Sequence, residues 1–185
     1  DAAGVERATI VGHSMGSLIG LEFSGIAPAR LASLVLVGTA FPMKVSDALL
    51  NAAREDEPAA FDMINAWSHQ SLNHYPGTPG PGFSVFVQNR RLMERQAPGV
   101  LHVDFNACNI YQDGAERARA LRVPTLFVIG RRDMMTPPRS GRALAAQVQG
   151  ARVAEIEGSG HALQTEQPSI RMPPSPSSPS TAVRR

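Results

Sequence analysis

The stretch "ATIVGHSMGSLIGLEF", residues 8–23, restricts this chain more than any other. Apolar and β-branched residues fill positions 8–11 and stop at Gly12. Beyond the serine, Leu18, Leu21, Ile19 and Ile26 recur at helical spacing until Pro28 ends the pattern. A hydroxyl therefore stands on a tight turn between a strand and a helix, in Gly12-His13-Ser14-Met15-Gly16. That G-x-S-x-G arrangement has a mechanical reading. Glycine on both sides lets a strained turn pass close to its neighbours, and the turn lifts Ser14 Oγ clear of the sheet. The Met15 N–H then lies at a helix N-terminus, where developing negative charge is stabilised. The pentapeptide by itself is common; the strand before it and the helix after it give it weight.

Three further apolar runs, 33–37, 125–129 and 153–157, read as strands. The runs at 8–11, 33–37 and 125–129 are nearly continuous, as in parallel strands covered on both faces. The last alternates and suits an edge. The spacing predicts helices over 14–26 and 138–149, the second with Pro137 and Pro138 at its first turn and Gly150 past its end. Strand–helix–strand units with short crossovers imply parallel pairing, so the fold class is α/β. Residues 41–121 break the rhythm. Helical patterns at 45–54, 58–69, 85–96 and 101–109 are interrupted by the breaker "HYPGTPGPGF" at 74–83. The segment reads as a helical insertion, which leaves 1–40 and 122–168 as the core. Residues 169–185 are rich in proline and serine and are expected to be disordered.

No apolar run reaches the length of a membrane span, and the first residues carry no signal-peptide pattern. With a formal net charge of +2 and no basic stripe interleaved with aromatics, a nucleic-acid partner is not expected. Cys108 is the only cysteine. It excludes an internal disulfide, fits a reducing, cytoplasmic compartment, and reads most simply as a small buried hydrophobe. The scattered histidines offer no metal-ligand cluster, so neither a metal nor an organic cofactor is implied. Nothing in the pattern sets an oligomeric state.

A serine hydroxyl needs a base, and the chain has five histidines. His13 adjoins Ser14, but adjacent side chains on a sharp turn diverge, so it reads as packing under the site. His69, His74 and His102 fall in the insertion. His161, in "EGSGHALQTEQP", follows the last strand and sits at a strand's carboxyl end, where the sites of α/β proteins gather. The base in turn needs a carboxylate to orient it. Asp133, in "LFVIGRRDMMTPP", also follows a strand. The rival loop "GTAFP" holds no acid, and Asp47, Asp56, Asp62, Asp104 and Asp113 lie in the insertion. The alternative for Asp133 is a helix N-cap or surface loop acid; its place at a strand's carboxyl end and the order Ser14, Asp133, His161 favour a catalytic role.

Taken together, "IVGHSMGSLIGLEF", "LVLVGTA", "VPTLFVIGRRDMMTPP" and "EGSGHALQTEQP" resemble the serine α/β-hydrolase superfamily. The likeness is to its single-domain, lidded branch of esterases, lactonases, carbon–carbon hydrolases and cofactor-free perhydrolases. It implies Ser14 as nucleophile, Asp133 as acid, His161 as base and Met15 as one oxyanion N–H donor. It also implies that 41–121 is the cap over the substrate pocket. Relatives that remove halogens use an aspartate nucleophile, and Ser14 argues against that branch. The expected architecture is a partial α/β-hydrolase fold, a mostly parallel sheet of about four strands with flanking helices and a helical cap.

In the family the nucleophile follows the fifth strand. The first four strands are therefore expected to be missing, with the loop that donates a second oxyanion N–H, and the final helix to be replaced by the Pro/Ser tail. Losing one such donor costs on the order of a hundred- to a thousandfold in rate, so the chain is expected to be a fragment, weakly active alone. The function read from these residues is a hydrolase of carboxylic esters or similar acyl compounds with a small-molecule acyl substrate. An acyltransferase or perhydrolase would use the same three side chains, and a non-enzymatic remnant or ligand-binding module would keep them by descent. Phe61, Met63, Ile64, Trp67, Phe83, Phe86 and Met93 are candidates for an apolar acyl pocket, with cap-to-core packing the plainer reading of each.

Overall fold

Residues 31–37 and 125–130 are almost entirely apolar on both faces, and both become central strands of one sheet. The computed structural model describes residues 4–70 and 84–168, together with Ala2. Its four parallel strands, β1 (Ala8–His13), β2 (Leu31–Val37), β3 (Thr125–Gly130) and β4 (Arg152–Ile156), lie side by side in that order. Helix α1 (Met15–Ile26) connects β1 to β2, and α7 (Pro138–Ala145) connects β3 to β4. Between β2 and β3 run α2 (Asp47–Glu55), α3 (Glu57–Ser68), α4 (Val85–Met93), α5 (Val100–Ile110) and α6 (Gly114–Ala120). A short α8 (Leu163–Glu166) follows β4. The breaker at 74–83, with His74 and Phe83, and the tail 169–185 fall outside the described residues.

The sheet is covered unevenly. On one face Leu34, Leu36, Phe127 and Ile129 pack with Leu18 and Leu21 of α1 and Leu144 of α7. On the other face Val35, Leu126, Val128 and Ile156 gather with Leu163 of α8. Coverage on both faces therefore holds for β2 and β3. It fails for β1, an edge of the described sheet whose Val11 is 65% exposed. β4 is the other edge, as its alternation predicts.

Two features of the helices were not readable in advance. Helix α6 ("GAERARA") is short and has too few apolar residues to show a period, yet Ala118 within it and Leu121 after it join the sheet core. The pattern at 138–149 also overruns its helix, which stops at Ala145. Helices α2, α3 and α5 build a separate cluster from Leu49, Ala53, Ala60, Phe61 and Leu101. Side-chain caps set the first turns: Ser46 Oγ accepts from Leu49 N–H at 3.3 Å, and the Asp56 carboxylate from Ala59 N–H at 3.2 Å. Glu22 of α1 accepts from the Tyr111 hydroxyl at 2.9 Å and from the Arg117 guanidinium at 2.9 and 3.1 Å, tying residues of the helical segment to the sheet layer. Cys108 is buried in the sheet core, and burial pushes its thiol up to about 11. Among the described residues no helix is long and apolar enough to cross a membrane, and no group of three or more His, Cys, Asp or Glu is placed to hold a metal.

Candidate active site at the carboxyl rim of the sheet

Strand β1 delivers Ser14 onto a turn that L-residues avoid. Ser14 has φ 53° and ψ −122°, and it is the only non-glycine with positive φ among the described residues. Such a backbone costs on the order of 1–3 kcal/mol and persists only where its surroundings over-determine it. Here Ser14 N–H donates to Val37 O of β2 at 2.9 Å, and Ser14 O accepts from Ser17 N–H at 2.8 Å and from Ser17 Oγ at 2.6 Å. The turn is closed by a steric fit at Gly12, where a Cβ would lie 2.1 Å from Gly16 O. Gly16 itself is different. A Cβ there meets nothing within 4 Å, so the need for glycine on both sides holds at Gly12 only. Met15 opens α1, where the first backbone N–H groups have no intrahelical partner.

Asp133 and His161 come from the ends of β3 and β4 and meet in the interior. Both are buried, and His161 Nδ1–H donates to Asp133 Oδ2 at 2.8 Å. That bond fixes the tautomer and leaves the Nε2 lone pair for another proton. The carboxylate is held from three further sides. Oδ1 accepts from Met135 N–H at 2.9 Å and Thr136 N–H at 2.8 Å, and Oδ2 accepts from Thr136 Oγ1–H at 2.6 Å. Burial pushes the Asp133 carboxyl up, but the His161 hydrogen bond and charge, with the Thr136 donors, outweigh it and hold the pKa below the ordinary carboxylate range. The loop carrying His161 is tied down as well. Gly160 N–H donates to Glu166 Oε2 at 2.6 Å, Arg132 N–H to Ser159 O at 2.9 Å, and Ala162 N–H to Ser68 O at 2.9 Å.

Two residues seat His161 beside the serine turn: His13, whose packing under the site is expected from the sequence, and Gly38, whose part leaves no trace there. His13, the neighbour of Ser14, packs its ring 4.6 Å from that of His161 and donates Nε2–H to His161 O at 2.9 Å. Burial lowers the His13 pKa, and the nearby His161 lowers it further, which favours the neutral imidazole. Gly38, just past β2, has φ +52°, and a Cβ there would lie 3.2 Å from His161 Nδ1 and Cε1. Among the described residues no hydrogen bond joins Ser14 Oγ to His161. Contacts between nucleophile and base commonly tighten only with substrate bound.

Ser14 opens into a cleft of about 290 Å³, with Met15, Leu49, Trp67, Leu101, Phe105 and Met135 on its walls and Asp104, Lys44 and Ser46 among its polar residues. Of the aromatic and methionine side chains singled out from sequence, Trp67 lines this cleft. Phe61, Met63, Ile64 and Met93 pack in the helical cluster, and Phe86 lies against the His69 ring at 4.7 Å. His69 is buried and its Nδ1–H donates to Asn65 O at 2.9 Å.

Comparison with known proteins gives one family and a consistent fold. The pattern of the alpha/beta hydrolase fold matches residues 1–168. The chain is 29% identical over 178 residues to RutD of Azorhizobium caulinodans, provisionally named a carbamate hydrolase, covering 92% of this chain and 65% of that protein. It is 28% identical over 170 residues to a pimeloyl-[acyl-carrier protein] methyl ester esterase of Neisseria meningitidis, covering 84% and 62%. Among solved structures, an esterase from Exiguobacterium antarcticum superposes with a TM-score of 0.78 at 18% identity, over 90% of this chain and 64% of that one. The enol-lactonase from Burkholderia xenovorans LB400 gives 0.77 at 22% identity, over 90% and 63%. These two likenesses concern the fold. The chain spans under two thirds of the length of the curated relatives it matches.

Proposed function

Because the chain belongs to the alpha/beta hydrolase fold family, we propose that it carries the nucleophile, base and acid of a hydrolase acting on carboxylic esters or similar acyl compounds. The observation that carries this reading is the buried Asp133–His161 hydrogen bond of 2.8 Å, with His161 packed against His13, the chain neighbour of a serine held at positive φ. The names of the relatives, a carbamate hydrolase and a methyl ester esterase, support acyl transfer to water as the reaction class.

On this reading a carbonyl carbon sits over Ser14 Oγ. His161 Nε2 takes the hydroxyl proton as Oγ attacks, and the imidazolium that forms is stabilised by the Asp133 carboxylate, which remains ionised. Met15 N–H donates to the oxyanion of the tetrahedral intermediate. His161 then returns its proton to the leaving oxygen, the acyl group stays on Ser14, and a water activated by the same imidazole releases it as the acid. Residues 41–121 act as the cap, and the apolar cleft beneath it takes the acyl chain. The substrate is a small acyl compound, and a reducing, cytoplasmic compartment suits the buried Cys108 thiol. Incubation with 4-nitrophenyl butyrate tests the reading. Hydrolysis that disappears in Ser14→Ala supports it, and equal rates in the two proteins overturn it. Replacement of water by another acceptor as the preferred partner would move the assignment to an acyltransferase or perhydrolase.

A further inference from the structure

We propose that the cleft selects acyl substrates bearing an alkylammonium group, which Asp104 of α5 holds; the turnover of such substrates rests on the reading above, their binding does not. Asp104 is half-buried on the wall of a cleft that is otherwise mostly apolar. Among the described residues its carboxylate has neither a hydrogen bond nor an ion pair. Glu22, on the facing helix α1, is by contrast satisfied by Tyr111 and Arg117. Lys44, the cation among the residues lining the cleft, donates to Asn109 O at 2.8 Å instead.

A carboxylate partly withdrawn from water without a partner is costly, and an N–H-bearing cation entering the cleft would remove that cost with a charge-assisted hydrogen bond. Two further features fit a cation. Trp67 and Phe105 line the same cleft, and their ring faces attract positive charge. Asp104 also lines, with Met15 and Cys108, a second space of about 320 Å³ between α1 and α5. Asp104 thus stands on the wall the two spaces share. An acyl chain that starts at Ser14 and follows Met15 can place a terminal ammonium there.

Trp67 is the only tryptophan in the chain, so its fluorescence reports occupancy of the cleft without any reaction. The chain is titrated with pentylammonium, pentan-1-ol and pentanoate, which share a chain and differ in head group. Pentylammonium is expected to bind at least about tenfold more tightly than pentan-1-ol, with pentanoate weakest. Asp104→Asn should erase the difference and Asp104→Glu should keep it, with melting curves showing that each variant is folded. Equal binding of the three ligands, a preference that survives in Asp104→Asn, or tightest binding of pentanoate would overturn the proposal. In the second stage, the kcat/KM ratio of 4-nitrophenyl 6-aminohexanoate to 4-nitrophenyl hexanoate should fall about tenfold in Asp104→Asn. A positive titration with no hydrolysis of either ester would sink the nucleophile reading and leave the ammonium subsite standing.

Discussion

His13 and His161, 148 positions apart in the chain, pack with ring centres 4.6 Å apart, and His13 Nε2–H donates to the His161 backbone oxygen at 2.9 Å. The residue beside the proposed nucleophile therefore positions the proposed base. His13→Leu keeps the volume and removes the donor, and should lower kcat by about tenfold with a smaller change in KM. A change confined to thermal stability would reduce His13 to packing.

The pH dependence of stability follows from two lowered pKa values. The His13 pKa lies below its ordinary value of 6.5 in the fold, so the unfolded chain takes up this proton first as the pH falls. The associated stability is complete above 6.5 and declines as the pH drops through 6.5 toward the folded value. The Asp133 pKa is likewise lowered from its ordinary value of 3.8, so its contribution is present above 3.8 and is lost as the pH falls through its folded value. Melting temperature should thus decline in two stages on acidification, and His13→Gln should remove the upper one. A single decline near pH 4, identical in both proteins, would contradict this assignment.

Gly12 and Gly16 should respond differently to alanine. At Gly12 the new methyl would lie 2.1 Å from Gly16 O, a backbone atom that cannot yield cheaply, so a loss on the order of 3 kcal/mol is expected. At Gly16 nothing lies within 4 Å, and the better helix former should be neutral or stabilising by up to about 1 kcal/mol. Denaturant unfolding of the two variants compares them directly, and equal losses would contradict the asymmetry.

Thr136 should act through Asp133. Its hydroxyl donates to Oδ2 at 2.6 Å and its N–H to Oδ1 at 2.8 Å. Thr136→Val removes the hydroxyl alone and should cost about 1–2 kcal/mol in stability and about tenfold in kcat/KM. Thr136→Ser should restore both, since it keeps the donor. Failure of serine to rescue activity would show that the methyl group, not the hydroxyl, matters.

Gly38→Ala should damage activity more than folding. Its φ of +52° disfavours a side chain by about 1–2 kcal/mol, and the methyl would press on the His161 ring from 3.2 Å. Ester hydrolysis should fall by at least about tenfold while the far-UV circular dichroism stays unchanged.

Local chemistry made much of this molecule legible. The strand, glycine turn and helix around Ser14 are encoded within a few residues, and β2 and β3 announce themselves as unbroken apolar runs. Asp133 and His161 stand out in the sequence because each follows a strand-like run, unbroken before Asp133 and alternating before His161, and the structure brings the two into hydrogen-bond contact. What stayed hidden depends on distant segments meeting. The fit of Gly38 against His161, the pairing of His13 with the His161 carbonyl, and the capture of Asp133 by Thr136 leave no periodic trace in a single sequence. Helix α6 escaped for another reason: a short helix of alanine and arginine has no apolar stripe to read, although its Ala118 is fully buried. Apolar composition alone also did not separate the cleft wall at Trp67 from the packing at Phe61.

Mass spectrometry of the chain after treatment with a fluorophosphonate tests the central claim most directly, because the reagent records an activated serine whatever the natural substrate. The account predicts one adduct per chain, on the peptide containing Ser14, absent in Ser14→Ala and formed on the order of a thousandfold more slowly in His161→Ala. An unlabelled folded chain, or labelling at Ser14 that is indifferent to the loss of His161, would contradict it.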